Sequence, residues 1–357
     1  SCGSRFCVIV ATTRWPWCAW YIFSPEQMMN VTANKALDSG WALVAGIAFS
    51  ALFTGFIWYS GTIWPTPAPY LPERPGFWYE WQLAEPTFWT RATAWGGYLA
   101  HQFMLWWLIW HARHRQPGYT HGLHPVNVWA LGGNALFIGL HWLQTRLWYD
   151  GLAQYVHEVT SFASVAVMLV VILIMENHRR GLFFGRKVSL VSAAGEVARK
   201  YHGYYFAWAI VYTFWYHPME NTSGHMIGFF YMFLLLLQGS LFFTRSHLNR
   251  WWTLTLEMLV IAHAVLVGMT NGTRWEHFVT GLLGLFVITQ IHGLPWNRAV
   301  RLAASVAYLL SVVLIYHYGR GLIYIWEVFM IPVWDFAAVF LFSLLIIGGA
   351  RLVQARG

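Results

Sequence analysis

The sequence predicts an all-α fold: a polytopic integral membrane bundle of about ten transmembrane helices, with both termini in the cytoplasm. Three observations predict it: the composition, a series of long apolar runs, and the distribution of Lys and Arg. Of the 357 residues, 58% are hydrophobic and 10% are charged, and the mean hydropathy is +0.46. Soluble domains carry about 25% charged residues, so this chain lacks the polar surface that a water-soluble protein of its size needs.

Ten long apolar runs set the number of predicted helices. Each run approaches or reaches the roughly 20 residues that a helix needs to cross a bilayer. The runs are uninterrupted, whereas a strand of a membrane barrel shows about ten residues of alternating hydrophobicity, so helices are predicted rather than a barrel. The runs cover residues 41–63, 92–111, 126–148, 158–176, 203–218, 223–244, 251–270, 275–293, 299–318 and 329–350. We therefore expect a single ten-helix membrane domain over residues 41–357.

Lys and Arg are distributed unevenly between the gaps that separate these runs. When alternate gaps are assigned to the same side of the membrane, 17 of the 22 basic residues fall on one side, which also carries both termini. Cytoplasmic loops carry an excess of Lys and Arg, so this side is predicted to be cytoplasmic, in the inner membrane of a bacterium.

The net charge of +8 is also explained by the membrane topology. Because the basic residues occupy short gaps between apolar runs, they predict topology and not nucleic-acid binding. The expected partners are the lipid bilayer and, if the protein is one part of a larger complex, other membrane subunits.

The N-terminal segment, residues 1–40, is considered apart from the membrane domain. Its first part, residues 1–27, precedes the first methionines; it has basic residues and an apolar run but no clear small-residue cleavage site. It has two interpretations: a short hydrophobic leader, or sequence upstream of the start of the working protein. All three cysteines lie within the first 18 residues, so a disulfide framework or a cysteine-ligated metal is not expected in the membrane domain.

Histidines and glutamates gather in the gaps predicted to lie on the outer side. The stretch WYHPMENTSGHM, residues 215–226, holds two histidines and a glutamate, and adjacent His and Glu residues begin the fourth and eighth runs. If these three turns converge, their side chains line one outer cavity. Neutral imidazole and carboxylate are ligands of zinc, iron and copper. The predicted metal ligands are His141, His157, Glu158, His217, His225 and His277.

The same turns have two other interpretations. A general acid–base pair acting on a lipid-linked substrate uses the same side chains, and the predicted catalytic residues are His217, Glu220, Glu276 and His277. No HxxxH, HExxH or HxxHH spacing occurs, so no motif supports the metal. The remaining interpretation is that these polar side chains simply lie at the level of the lipid headgroups.

Two histidines fall deeper within the apolar runs, His101 in the second and His263 in the seventh, and both are predicted cofactor ligands. An ionisable group at the centre of a spanning helix costs about 2.5–3.5 kcal/mol, so such groups persist when they are paired, hydrated or functional. Axial ligation of a haem, or of a transition metal, is one interpretation of these histidines. An interhelical hydrogen bond is the other. Glu257, also in the seventh run, has the corresponding alternative of a carboxylate hydrogen-bonded within the bundle.

Three functions agree with these patterns. The first is a haem- or metal-dependent membrane redox protein, favoured by the 16 histidines, several of them within apolar runs. The second is an envelope lipid- or glycan-modifying transferase with an outer acid–base site, favoured by the Trp and Tyr side chains of residues 64–91, which can stack on sugars or cover a cleft. The third is a transporter or a structural subunit of a larger membrane complex. We favour the first because of where the histidines lie.

The layout of ten runs at this chain length is similar to that of bacterial membrane acyltransferases, which modify cell-envelope glycans. This resemblance implies the transferase function. The arginine–histidine signature of those enzymes is not found at the start of the first run.

Overall fold

A computed structural model of the chain describes residues 37–66, 79–115, 118–149, 151–270, 272 and 274–354. Most of the N-terminal segment, with its three cysteines and both interpretations of residues 1–27, lies outside this part. The described residues form ten α-helices and no β-strand, which confirms the all-α fold class. The helices are α1 (Ser39–Ile63), α2 (Phe88–Arg115), α3 (Pro125–Leu147), α4 (Glu158–Arg180), α5 (Ser189–Tyr216), α6 (Ser223–Ser240), α7 (Arg250–Thr270), α8 (Trp275–Ile288), α9 (Arg298–Tyr318) and α10 (Met330–Gln354).

Each helix corresponds to one of the ten apolar runs, and the two clearest differences lie at α5 and α8. Helix α5 begins at Ser189 instead of residue 203, because helical backbone continues through a charged stretch that contains Glu196, Arg199 and Lys200. Helix α8 ends at Ile288 and is followed by a 3₁₀ turn, Gln290–Gly293. Other short 3₁₀ segments lie at Leu152–Gln154, Ser246–Leu248 and Leu322–Phe329.

Polar residues placed just before the apolar runs cap several helices. Asp38 Oδ1 accepts a hydrogen bond from the backbone N–H of Gly40 at 2.7 Å, and Asn297 Oδ1 accepts one from Val300 N–H at 2.9 Å. A capping oxygen satisfies a backbone donor that the first turn of a helix leaves unpaired. These caps explain why α1 and α9 begin where they do.

Five stretches within the described residues are long and apolar enough to cross a membrane, so this is a membrane protein whose described part is helical. They are α1, α4, α7, α9 and the stretch Leu322–Gln354, which contains α10. Helix α8, with 14 residues, is about 21 Å long at 1.5 Å per residue. That length is less than the roughly 30 Å of a bilayer's hydrocarbon core.

Hydrogen bonds between loops divide the helix ends into two sides. On the first side, the loop before α3 meets the start of α1, where Leu123 N–H donates to Leu37 O at 2.9 Å, and the end of α6, where Thr120 N–H donates to Phe243 O at 3.2 Å. On the second side, Arg146 at the end of α3 donates to Met219 O in the loop between α5 and α6 at 3.0 Å. Because consecutive helices end on alternate sides, they run antiparallel. We call the first, which carries most Lys and Arg, the basic side, and the second the opposite side.

The largest cluster of buried hydrophobic side chains in the described residues includes members of α2, α3, α5 and α6 and is rich in aromatic residues. Phe214, Trp215 and Phe229 are buried there. Gly97 on α2 faces the Trp215 ring so closely that an added Cβ would overlap it. This packing places the end of α5, and with it the turn that follows Trp215, at the opposite side.

Candidate functional site

Three histidines from α5, α6 and α7 come together with two aromatic residues at the opposite side. We call His217, His225, His263, Tyr79 and Trp81 the histidine cluster. The ring centroids of His217 and His225 are 6.2 Å apart. Tyr79 lies 5.2 Å from His217, edge to face, and Trp81 lies 5.0 Å from His225.

The local sequence explains the positions of the first two histidines. His217 is the C-cap of α5, and Pro218 follows it, where the helix ends. Thr222 is the N-cap of α6, and its Oγ1 accepts from the backbone N–H of His225 at 3.4 Å. The same hydroxyl lies 2.8 Å from Nδ1 of His225, so the cap also fixes the orientation of that ring.

His263 joins the cluster from α7. A Cβ built on Gly228 would lie 3.2 Å from Nε2 of His263. Gly228 is three residues beyond His225 and therefore on the same side of α6. The absence of a side chain at Gly228 gives the imidazole of His263 room beside α6. Within the part of the chain that the structure describes, His263 has no hydrogen-bond partner.

The imidazole of His217 is neutral at physiological pH. Burial lowers its pKa to about 4, and the neighbouring His263 acts in the same direction. Its Nδ1 lies 2.9 Å from the carbonyl oxygen of Thr213 and therefore donates its proton there. The lone pair of the neutral ring is then on Nε2, which has no hydrogen-bond partner among the described residues. This arrangement leaves one basic nitrogen available.

Tyr79 supplies a protonated phenol whose ring lies 5.2 Å from the ring of His217. Burial raises the pKa of Tyr79 well above its ordinary value, and Tyr216 and the carboxylates of Glu220, Glu158 and Glu80 raise it further. The Tyr79 hydroxyl lies 2.7 Å from Nε2 of His225.

Two of the three predicted turns lie together. Glu158 begins α4 and Glu220 lies in the turn after α5, and a hydrogen bond from the Tyr216 hydroxyl to Val156 O at 3.1 Å joins the two turns. Glu220 is buried and accepts a hydrogen bond from Thr66 Oγ1 at 2.6 Å. His157 is exposed and caps α4 through Nδ1, which accepts from Val159 N–H at 3.3 Å.

His101 and His141 are fully buried in a hydrogen-bonded core beside the histidine cluster. Nε2 of His101 lies 2.7 Å from Asn134 Oδ1, and its Nδ1 accepts from Trp215 Nε1 at 3.3 Å. Nε2 of His141 donates to the carbonyl oxygen of His217 at 2.8 Å, and its Nδ1 lies 3.2 Å from Gln144 Oε1. A metal or haem iron would have to displace one of these bonds, so the arrangement matches the interhelical hydrogen-bond interpretation.

The third predicted turn, with Glu276 and His277, belongs to a different group at the same side. Glu276 lies in the first turn of α8 and lines a cleft of about 410 Å³ together with Arg274 and Arg320. Both arginines face the buried carboxylate of Glu327, whose Oε1 lies 3.2 Å from Arg320 Nη2 and 3.7 Å from Arg274 Nη1. We call this group the charged cleft.

The structure thus brings the predicted site residues together in part. His217, Glu220, His225 and Glu158 lie near one another, and His263 joins them. Glu276 and His277 lie in the region of the charged cleft. In the part of the chain that the structure describes, no three His, Cys, Asp or Glu side chains are placed to hold a metal ion. The metal ligands and the haem therefore stay predictions, without support from the arrangement of the donors.

Comparison with known proteins does not assign the chain to a family. No protein-family model, curated protein or solved structure matches it. Its function is therefore argued from the two groups of side chains.

Two features of these groups are absent from the sequence-based prediction. One is the pairing of Glu327 with Arg274 and Arg320, which joins two loops that are distant in sequence. The other is the contact of Tyr79 with His225. A sequence signal for the second exists, because residues 64–91 are rich in aromatics and were expected to cover a cleft.

Proposed function

We propose that the protein is an integral membrane transferase that modifies a lipid or glycan of the cell envelope, with the histidine cluster as its acid–base site. The observation that carries the proposal is the free Nε2 of His217 on an imidazole whose ring lies 5.2 Å from that of Tyr79, a protonated phenol. A base and an acid next to each other at a membrane surface suit the transfer of a group between two oxygen atoms.

The chemistry follows from the two protonation states. The hydroxyl of an acceptor gives its proton to Nε2 of His217 while its oxygen forms a bond to the acyl carbon or phosphorus of a donor lipid. The bond from that atom to the leaving oxygen breaks, and the leaving oxygen takes the proton of Tyr79. The imidazolium of His217 then returns a proton to Tyr79. Because a pKa of about 4 makes His217 a weak base, proton removal is coupled to formation of the new bond.

The aromatic residues support a glycan or lipid headgroup as substrate. The rings of Trp81 and Tyr79 pack edge to face against those of His225 and His217 and form an aromatic wall beside the two imidazoles. Trp81 is half-buried and Tyr79 is held by its bond to His225. Aromatic rings in such positions stack on apolar faces of a ligand.

The proposal includes the topology. We infer that all ten helical segments cross the bilayer, α8 together with the 3₁₀ turn Gln290–Gly293 that follows it. We also infer that the basic side is cytoplasmic, because the gaps that the sequence assigns to it carry 17 of the 22 Lys and Arg residues. In this orientation the histidine cluster lies at the outer surface of a bacterial inner membrane, where envelope lipids and glycans are available.

The test compares two histidines that have the same local bonding at opposite ends of the bundle. His247 at the basic side bonds through Nδ1 to Gln238 O at 2.9 Å, as His217 bonds to Thr213 O. Cells that express the wild type, His217→Gln or His247→Gln are compared with cells carrying an empty vector. Mass spectrometry of their total lipids and envelope glycans is expected to find a new species with the wild type and with His247→Gln. With His217→Gln the species should fall by about 100-fold, the scale of a lost general base.

Two outcomes would reject the proposal: no species that distinguishes the wild type from the empty vector, or undiminished product with His217→Gln at equal protein in the membrane. The haem or metal redox function remains a separate prediction. An absorption spectrum and elemental analysis of the purified protein test it, because a bound haem gives a Soret band and a bound metal gives a stoichiometric signal.

A further inference from the structure

The charged cleft contains both signs of charge in one open space. It has a volume of about 410 Å³ and is lined by Met269, Gly272, Arg274, Trp275, Glu276 and Arg320. The two arginines share one carboxylate, that of Glu327, which is 1% exposed. One positive charge of the pair is therefore left over for a ligand. Nε of Arg320 is also buried without a hydrogen-bond partner among the described residues.

Glu276 adds an unpaired negative charge to the same cleft. Its side chain is 6% exposed, and its Oε1 would lie 3.1 Å from a Cβ built on Gly319. No hydrogen bond or ion pair reaches its carboxylate from the part of the chain that the structure describes. A buried carboxylate without a partner is costly, so a cationic group of a ligand would relieve that cost.

A second, apolar crevice lies between α8 and α9. Its volume is about 370 Å³, and its lining is Leu283, Phe286, Val287, Ala304, Ala307, Tyr308 and Ser311. Leu283 and Val287 are seven and eleven residues beyond Glu276, which places all three on one face of α8. At 1.5 Å per residue the crevice begins about 10 Å below the charged cleft. A polar cleft above an apolar crevice on one helix face matches the two parts of a lipid, a polar headgroup and an apolar acyl chain.

We propose that the charged cleft and the crevice together bind one phospholipid whose headgroup carries a phosphate and a primary amine, as in phosphatidylethanolamine. The phosphate accepts hydrogen bonds from Arg274 and Arg320, since guanidinium groups suit phosphate oxygens. The ammonium group donates to Glu276, and one acyl chain lies in the crevice along Leu283 and Val287.

The two charges also explain why other headgroups fit less well. A purely anionic headgroup has no positive charge that could pair with the carboxylate of Glu276, so that carboxylate would remain unpaired. A choline headgroup is cationic but has no N–H donor for that carboxylate. The site is separate from the histidine cluster and does not rest on the proposed function.

The experiment measures lipid selectivity of the purified full-length protein. The protein is delipidated in detergent and titrated with phosphatidylethanolamine, phosphatidylcholine or phosphatidylglycerol of the same acyl chains, and bound lipid is counted by native mass spectrometry. The wild type is expected to bind phosphatidylethanolamine about tenfold more tightly than the other two, which is the scale of one charged hydrogen bond. Glu276→Gln should abolish this preference for phosphatidylethanolamine over phosphatidylcholine.

Three further variants separate a specific loss from misfolding. Arg274 is 56% exposed, so Arg274→Gln leaves the buried Glu327 with Arg320 and should weaken binding of all three lipids. Arg298→Gln and Glu196→Gln change exposed charges on the basic side and should bind as the wild type does. Equal affinity of the wild type for the three lipids, or a preference unchanged in Glu276→Gln, would overturn the proposal.

Discussion

Two histidines near helix ends, His217 and His247, show that burial can outweigh a hydrogen bond in setting the charge of an imidazole. His217 and His247 both bond through Nδ1 to a backbone oxygen, yet burial lowers the pKa of each to about 4. In the unfolded chain the same side chains titrate near 6.5. Each of them therefore stabilises the fold above pH 6.5, and this contribution is lost as the pH falls toward 4.

This shift predicts a pH-dependent stability that a single substitution reduces. The wild type should have a lower thermal midpoint at pH 5.0 than at pH 7.5, and His247→Gln should show a smaller difference between the two. The contribution of His247 to the change in unfolding free energy between the two pH values is about 1–3 kcal/mol, since one pKa unit is 1.36 kcal/mol. Unfolding in detergent followed by tryptophan fluorescence measures it. A pH profile of His247→Gln that matches the wild type would contradict the prediction.

A buried ion pair gives a second prediction for single residues. Arg180 Nη1 lies 2.8 Å and 3.1 Å from the two carboxylate oxygens of Glu257, and the two side chains are 3% and 9% exposed. Glu257→Gln removes the charge that compensates Arg180, and the expected loss of stability is about 3–5 kcal/mol. Thermal unfolding of the purified protein measures this loss.

The chain contains a matched exposed pair for comparison. Glu176 pairs with Arg179 three residues later, and both side chains are partly exposed. Glu176→Gln should cost less than about 1 kcal/mol. If Glu257→Gln destabilises the protein no more than Glu176→Gln, the buried pair does not contribute as expected.

Glu257 shows how far the role of a single residue can be predicted from sequence. The bonded-carboxylate interpretation of Glu257 is confirmed by its pairing with Arg180. The partner itself could not be identified, because it lies on another helix, 77 residues away.

The helices themselves were the most predictable feature. Each apolar run contains a helix, since a continuous apolar segment buries its backbone polar groups only as a helix. The start of α5 was missed because Glu196, Arg199 and Lys200 resemble a loop in composition. Charged residues indicate where the chain leaves the apolar part of the membrane, but the helix itself can continue beyond that point.

Packing between α2 and α5 depends on a glycine and yields a prediction for this pair of helices. Gly97 leaves no room for a side chain against Trp215, whereas its neighbour Gly96 has nothing within 4 Å of an added Cβ. Gly97→Ala should displace the indole, lengthen its bond to His101 and destabilise the protein by about 1–3 kcal/mol.

Gly96→Ala provides the matched control, since it adds the same methyl group to the same helix. It should leave the thermal midpoint unchanged or raise it slightly, because alanine favours the helix more than glycine does. Tryptophan fluorescence reports both the midpoint and the environment of the indole. Equal midpoints for the two variants would show that Gly97 is not a required close contact.

At the scale of the whole molecule, the arrangement of the three predicted turns could not be derived from sequence. Their common depth follows from the order of the runs, but their lateral positions depend on which helices pack together. Helix α7 lies beside α6, so His263 joins His217 and His225. Helix α8 instead places Glu276 beside Arg320 and the loop after α9. The polar residues of the three turns therefore form two groups. Their positions along the sequence agree equally well with one cavity or with two.

The orientation of the bundle is the last prediction, and it follows from charge together with helix direction. The loop between α4 and α5 carries Lys187 on the basic side, and the loop between α9 and α10 carries Ile323, which is 81% exposed, on the opposite side. If Lys and Arg hold the basic side in the cytoplasm, a cysteine replacing Ile323 is reached from outside the cell. A cysteine replacing Lys187 is not.

The measurement uses a variant in which Cys2, Cys7 and Cys18 are serines, so that each added cysteine is the only one in the chain. A membrane-impermeant maleimide applied to intact cells should label Ile323→Cys, and it should label Lys187→Cys only after permeabilisation. Labelling after permeabilisation shows that both positions are accessible in the folded protein. The reverse pattern would place the histidine cluster in the cytoplasm, and the donor and acceptor of the proposed transfer would then have to be cytoplasmic lipids. Labelling of both cysteines in intact cells would mean that the helices between these loops do not separate them by a membrane.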